Sequence, residues 1–191
     1  ILFAPAYAAE ALEELRRTKQ KCRVIELPPD RAAHPASVLE VRSALGGLLL
    51  QERDSASRDE VGLQVVSRRR PGEHEWRALR FAWAIAKHVK SNAIVLATED
   101  QLIGVGAGQM SRVDSAKLAV MRAKDNGLEP AGTVCASDAF FPFRDSLDVV
   151  AQAGATAVIH PGGSVRDAEV IAAADEHGMA MVLTGIRHFR H

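Results

Sequence analysis

The chain has 191 residues, of which 47% are hydrophobic and 25% are charged, a composition typical of soluble globular proteins with one core or two small ones. Lysine plus arginine and aspartate plus glutamate each number 24, so the bulk charge predicts neither nucleic acid nor a membrane surface as a partner. No apolar run approaches the roughly 20 residues of a membrane span, and residues 1–5 lack the basic start of a signal peptide. Cys22 and Cys135 lie far apart, which favours two buried thiols in a reducing, cytoplasmic setting.

The hydrophobic pattern predicts strands and helices that alternate along the chain. Short apolar runs bounded by glycine, proline or polar residues predict strands at Leu2–Ala6, Cys22–Leu27, Val61–Arg68, Ala93–Ala97, Gln101–Gly108, Gly132–Ser137, Ala155–His160 and Met179–Thr184. Apolar positions at helical spacing predict helices at Ala8–Lys19, Pro71–Val89, Asp114–Lys124, Ser146–Ala153 and Val165–His177. Gly46-Gly47 predicts a turn before a further apolar strand within Leu39–Asp54. The helix that Pro71 opens is apolar nearly all round, which argues that it is buried.

Strands that alternate with helices, after one hairpin joined by residues 98–100, predict an α/β fold, a three-layer sandwich with a mixed sheet. The order of elements is similar to the cytidine-deaminase-like fold. The polar stretch Glu52–Glu60 is the best internal boundary. We therefore expect a connecting α/β segment, or the end of a preceding subdomain, over residues 1–58 and a C-terminal subdomain over residues 59–191. Zinc deaminase chemistry is not expected, because the His-x-Glu and Pro-Cys-x-x-Cys motifs that hold the metal are missing from the sequence.

A glycine-rich turn, GVGAGQMSR at residues 104–112, leads from a predicted strand into a helix capped near Ser111 or Asp114. Such a turn can present backbone amides to an anion or polar ligand. It lacks the dinucleotide-binding spacing and the P-loop lysine, so a tight turn without a ligand stays equally open. Arg112 beside it favours a ligand.

The segment SDAFFPFRD at residues 137–145 concentrates three of the six phenylalanines at the end of a predicted strand, where α/β proteins place their sites. The rings beside Pro142 would form a slot for a flat heterocycle. The alternative is that the rings are core and that Asp145 caps a helix.

Three further segments carry candidate groups. After the strand that ends at His160, a glycine turn leads into a helix, and Ser164 as its N-cap needs no ligand. Arg187 is a candidate phosphate clamp in a tail that Phe189 would pack down. Lys87-His88 invites an acid–base interpretation, but neighbours on a helix point about 100° apart, so we prefer basic residues at a helix C-terminus.

Four motifs together resemble bacterial AICAR transformylase, which is usually the larger half of a bifunctional protein that also carries IMP cyclohydrolase. They are KSNA at residues 90–93, GVGAGQMSRVDS at 104–115, SDAFFPFRD at 137–145 and the terminal RHFRH. The resemblance covers almost the whole chain. It implies formyl transfer from 10-formyltetrahydrofolate, a cosubstrate, to the 5-amino group of AICAR in purine biosynthesis.

The resemblance also implies roles for eight residues. Asn92 matches the family's catalytic asparagine, which hydrogen-bonds the amine or carboxamide of the nucleotide. The other matches are Arg112 and Phe140 at the base of AICAR, Arg187 at its 5′-phosphate with His191 nearby, and Pro142, Phe143 and Asp145 on the folate side.

In the family, a Lys-His pair followed by a Pro-Ala-Gly type turn supplies the base, and a monovalent cation lies near these loops. Neither that segment nor the cyclohydrolase domain is in this sequence. We therefore expect a C-terminal fragment that is inactive alone, with the missing half on the same or another chain, and a homodimer, because the family's site lies at a dimer interface. Two alternatives remain: a non-catalytic purine nucleotide or folate binding module, and a free-standing formyltransferase that uses Lys87-His88.

Overall fold

The computed structural model describes residues 1–19, 21–28, 39–52, 54 and 62–190. Its contacts divide the chain into two compact units, Ile1–Ser55 and Ala56–His191. The division falls inside the polar stretch that the sequence marks as a boundary.

The described part of the first unit contains two separate pairs of strands. Strands β1 (Leu2–Ala4) and β2 (Val24–Glu26) are parallel, and helix α1 (Ala9–Thr18) connects them. Strands β3 (Leu39–Ala44) and β4 (Gly47–Glu52) form an antiparallel hairpin, of which the sequence predicted only the second strand.

No described residue of this first unit is buried. Leu48, Leu49 and Leu50 of the hairpin are all more than 60% exposed, so the described part of the unit forms no apolar core of its own. Cys22 is half-buried, and its prediction as a buried thiol is therefore wrong.

The second unit is built on one six-stranded sheet in the order β5-β10-β9-β8-β6-β7. Its strands are β5 (Gln64–Val65), β6 (Ile94–Ala97), β7 (Leu102–Gly106), β8 (Val134–Ser137), β9 (Ala157–His160) and β10 (Ala180–Leu183). The central β8, β9 and β10 are parallel, while β6 runs antiparallel to both of its neighbours and β5 runs antiparallel to β10. The predicted mixed sheet is confirmed. The strand predicted at Val61–Arg68 is reduced to β5, and Val61 lies outside the described residues.

Helices cover both faces of this sheet. They are α2 (Glu73–Ala86), α3 (Arg112–Asp125), α4 (Asp145–Gln152) and α5 (Asp167–Glu176). Alternate strand residues point to opposite faces, so that Val95 packs with α2 while Ile94 packs with the other three helices. The α/β fold is confirmed. Helix α2 buries one face fully and leaves Trp76 and Phe81 partly buried, because only one of its sides meets the sheet.

Two glycines of the glycine-rich turn allow α3 to lie close against β7. A Cβ at Gly104 would lie 2.3 Å from the carbonyl oxygen of Ala119, and one at Gly106 would lie 1.8 Å from that of Ser115. Gly108 adopts a left-handed φ of 67°, which glycine tolerates without strain. The turn therefore needs its glycines for packing and backbone conformation.

The helix starts are held by short polar contacts. The Ser111 hydroxyl accepts a hydrogen bond from the Asp114 amide and caps α3 as predicted. Helix α5 begins instead at Asp167, whose carboxylate accepts from the Gly163 and Ser164 amides, so the predicted N-cap at Ser164 is wrong.

Within the ranges that the structure describes, no helix is long and apolar enough to cross a membrane.

Candidate functional site

One edge of the sheet carries a cavity of about 440 Å³. Because β6 is antiparallel to both neighbours, its first residue, Ile94, lies opposite the last residues of β7 and β8, Gly106 and Ser137. The segments before β6 and after β7 and β8 therefore meet. The residues that line the cavity are Asn92, Met110, Ser111, Arg112, Val113, Ala139, Phe140, Pro142, Phe143, Asp145, Ser146 and Phe189.

Six of the eight residues singled out from the sequence line this cavity: Asn92, Arg112, Phe140, Pro142, Phe143 and Asp145. Arg187 lies beside it, with its guanidinium carbon 5.0 Å from the centre of the Phe140 ring and 6.0 Å from that of Phe189. His191 lies outside the described residues.

The side-chain amide of Asn92 is held at both ends. Its Oδ1 accepts a hydrogen bond from Nη2 of Arg112 at 3.0 Å. Its Nδ2 donates to the carbonyl oxygens of Gln109 at 2.9 Å and Met110 at 3.3 Å. A donor on one side and two acceptors on the other settle which way the amide points. Both N–H groups are used, so the amide can offer a ligand only the second lone pair of Oδ1.

Arg112 is buried in an ion pair with Asp138. Its Nη1 lies 2.5 Å from Asp138 Oδ1 and donates to the Ser137 hydroxyl at 2.8 Å, and the two charged side chains are 6% and 0% exposed. Buried charges need this kind of pairing to offset the loss of water. Arg112 thus has most of its donors committed to the protein and acts on the cavity mainly by holding Asn92.

No role was assigned to Ser91 or Asp138 from the sequence, although both lie inside the quoted motifs and both help to build this arrangement. The Asp138 carboxylate also accepts from the Ser91 hydroxyl at 2.5 Å and from the Ala93 amide at 3.1 Å. The Ser91–Asn92 peptide bond is cis. An acid next to a buried strand was the available signal, since a buried carboxylate requires a cation and donors.

The three rings of the aromatic segment divide between core and cavity. Phe141 is fully buried and packs edge-on against His160 with ring centres 5.0 Å apart. Phe140 and Phe143 remain at the cavity, and Arg166 places its guanidinium carbon 4.8 Å from the Phe143 ring centre. Two rings, each under an arginine, therefore form the apolar wall.

Comparison with known proteins identifies the family. The sequence model of the AICARFT/IMPCHase bienzyme family matches residues 1–122. The chain belongs to this family. Over its whole length it is 55% identical to the bifunctional purine biosynthesis protein PurH of Myxococcus xanthus, 54% identical to that of Magnetococcus marinus and 52% identical to that of Neisseria gonorrhoeae NCCP11945. It spans 37%, 37% and 36% of these relatives. The resemblance inferred from the four motifs is confirmed.

The part of the chain that matches the AICARFT/IMPCHase family includes Asn92 and Arg112. Asp138 and the aromatic segment lie beyond residue 122. They are covered by the matches to the relatives, which extend over the whole of this chain.

Two buried titratable side chains of the sheet in this AICARFT/IMPCHase chain, those of Cys135 and His160, are unsuited to proton transfer near neutral pH. Burial raises the pKa of the Cys135 thiol to about 12 and lowers the pKa of His160 to about 4, so one stays a thiol and the other a neutral imidazole near pH 7. His88 is exposed at the end of α2, and neither it nor Lys87 is among the described residues that line the cavity. Within the described ranges, no group of three His, Cys, Asp or Glu residues is arranged to hold a metal.

Proposed function

We propose that this chain supplies the nucleotide and folate wall of an AICAR transformylase, which transfers a formyl group from 10-formyltetrahydrofolate to the 5-amino group of AICAR in purine biosynthesis. One observation carries the proposal: the cavity joins a rigidly oriented amide acceptor, Asn92, to the rings of Phe140 and Phe143. Membership in the AICARFT/IMPCHase family supports the same chemistry.

The nucleotide is proposed to lie with its flat imidazole carboxamide against Phe140 and its phosphate at Arg187. The guanidinium of Arg187 rests on the Phe140 ring, a contact that holds its plane in place. The described residues provide it with no hydrogen bond or ion pair, so its N–H edge remains available for a phosphate, which matches the planar fork of donors. Folate is proposed to lie along Pro142, Phe143 and Asp145.

In the proposed reaction, the amine nitrogen of AICAR attacks the formyl carbon and forms a tetrahedral intermediate. The bond from that carbon to N10 of the folate then breaks, the amine loses a proton and N10 gains one. The lone pair of the amine is delocalised into the imidazole carboxamide, so orientation contributes much of the rate. Asn92 Oδ1 is proposed to accept a hydrogen bond from the amine and so turn its lone pair toward the formyl group.

Asn92 is not proposed as the group that stabilises the oxyanion, because both of its N–H groups are already bonded to the carbonyls of Gln109 and Met110. The donor that this step needs must come from elsewhere. Among the described residues of the lining, the charged ones are Arg112 and Asp145, and none is a histidine or lysine.

We therefore propose that the proton transfers use groups from other parts of the longer protein, since the chain spans about 37% of its relatives. By the same family resemblance, we propose a cytidine-deaminase-like arrangement of the second unit, a homodimer that completes the site, and a cytoplasmic location.

A second candidate function is binding of a purine nucleotide or folate without turnover. The lack of a histidine or lysine among the described lining residues favours it, because a binding module needs the rings and the amide but no base.

The first test is calorimetric titration of AICAR into the chain and into its Arg187→Ala variant. Loss of a charged hydrogen bond costs about 1.5 to 3 kcal/mol, so we expect the affinity to fall at least about tenfold. Arg166→Ala is the matched control, because it removes the same charge and the same kind of ring contact from Phe143 and should leave the AICAR affinity nearly unchanged.

Equal weakening by both substitutions would show that only the overall positive charge attracts the nucleotide. No binding by the folded chain would reject the proposed nucleotide wall. Formation of formyl-AICAR after the remaining part of a family protein is added would support the transferase, whereas binding without product in that mixture would support the binding module.

A further inference from the structure

We propose that Ser91 and Asp138 are positioning residues that hold the segment after β10 so that Arg187 faces the phosphate of the nucleotide. The inference rests on the proposed function, because Arg187 is the proposed phosphate ligand. It extends that function by naming the groups that fix where Arg187 lies.

The segment after β10 has no regular secondary structure between Thr184 and Arg190, yet it is bonded at its far end. The His188 amide donates to the carbonyl oxygen of Asp138 at 2.9 Å. The Ser91 amide donates to the carbonyl oxygen of Arg190, also at 2.9 Å. The imidazole of His188 is buried, and its ring centre lies 4.4 Å from that of Trp83. Terminal segments without such contacts generally fray.

The hydroxyl of Ser91 connects this segment to the interior. It accepts a hydrogen bond from the Arg190 amide at 2.9 Å and donates to Asp138 Oδ2 at 2.5 Å. One side chain therefore bridges the chain end and a carboxylate that is 0% exposed. A hydroxyl suits this bridge because it donates and accepts at once.

Asp138 has a separate oxygen for each half of the site. Its Oδ1 accepts from Arg112 and from the Ala93 amide, which place Asn92, while its Oδ2 accepts from Ser91. Asn92, which is proposed to orient the amine of AICAR, is therefore connected to the Asp138 carboxylate through Arg112. The segment that carries Arg187, the proposed phosphate ligand, is connected to the same carboxylate through Ser91. This arrangement fixes Asn92 and the segment that carries Arg187 relative to each other.

Arg187 itself is exposed and touches the protein through ring contacts with Phe140 and Phe189. Such contacts contribute about 0.5 to 1 kcal/mol at exposed sites, which is too little to hold a mobile backbone. The backbone that carries Arg187 is held on its near side by the Gly185 amide, which donates to the carbonyl oxygen of Pro161 at 3.0 Å. On its far side it is held by the bonds to Ser91 and Asp138.

The test compares AICAR with its nucleoside, which lacks the phosphate, as ligands of the Ser91→Ala variant. If Ser91 acts through Arg187, the AICAR affinity should fall by about threefold to tenfold, the range expected when the contact between Arg187 and the phosphate is weakened by the equivalent of one hydrogen bond. The nucleoside affinity should stay the same. Ser91→Ala combined with Arg187→Ala should bind AICAR no more weakly than Arg187→Ala alone. A loss of the same size for both ligands, or additive losses in the double variant, would overturn the proposal.

A second measurement needs no ligand. Amide hydrogen exchange at His188 and Arg190, with exchange in β8 as the internal reference, should speed up in Ser91→Ala if the hydroxyl holds the segment. Unchanged exchange at Arg190 would refute the positioning role. If the unsubstituted chain binds neither ligand, the proposed function fails, and the exchange rates still decide whether Ser91 holds the segment.

Discussion

Replacing Gly106 by alanine is expected to push α3 away from β7 and to displace one wall of the candidate site. The new Cβ would lie 1.8 Å from the carbonyl oxygen of Ser115. To reach even a 3.0 Å contact, the helix must retreat by about 1.2 Å, because the obstacle is helix backbone and cannot rotate aside.

The cost should lie at the upper end of what overpacking causes. Extra methyl groups in a packed core typically cost about 1 to 3 kcal/mol when neighbours can shift. Here a 14-residue helix has to move as a body, so we expect a loss of about 3 kcal/mol and a fall in Tm of about 10 °C.

The same shift should weaken AICAR binding. The Ser115 hydroxyl donates to the carbonyl oxygen of Asn92 at 2.8 Å, and Arg112 at the start of α3 holds the Asn92 amide. Both contacts lengthen if the helix retreats, so the affinity for AICAR should fall in parallel with stability.

Urea unfolding and calorimetric titration would check both effects, with Gly62→Ala as the control. A Cβ at Gly62 meets nothing within 4 Å, so that variant should unfold within about 0.5 kcal/mol of the unsubstituted chain. If Gly106→Ala lowers the free energy of unfolding by less than about 1 kcal/mol, the packing argument is refuted.

Two further predictions concern buried charged and titratable groups. Arg112→Met leaves the Asp138 carboxylate buried without its cation and should lower the free energy of unfolding by about 3 to 5 kcal/mol; urea unfolding that shows a loss below 1 kcal/mol would contradict the buried pair. Burial lowers the pKa of His160 to about 4, so the unfolded chain binds its proton at higher pH than the folded chain does, and stability should fall as the pH drops from about 6.5 to 4. His160→Asn keeps an acceptor for the Gly162 amide, which bonds Nδ1 at 3.1 Å, and should flatten that fall; an unchanged slope between pH 7 and pH 4.5 would rule out His160 as its cause.

Most helices and strands of the second unit were predicted from the local hydrophobic pattern of the sequence. Helical spacing and short apolar runs located its four helices and six strands to within a few residues, apart from the shortened β5. These patterns are readable because each helix or strand turns its apolar residues toward one sheet at a period set by its own geometry. The motifs also identified six residues that line one cavity.

Local pattern did not reveal what each residue touches. Phe141 and Phe143 are two residues apart, yet one is core and the other is half-exposed at the cavity. The orientation of the Asn92 amide depends on Arg112, twenty positions away, and on the turn after β7.

The sequence by itself therefore determined the family, the alternation of helices and strands, and the segments that would carry a site. Only the tertiary structure decided that Asp138 joins both halves of the cavity and that Asn92 offers an acceptor. Ser91, Arg112 and Asp138 meet because β6 lies between β7 and β8 and runs against both. Strand order depends on the packing of the entire sheet, which no short stretch of sequence encodes.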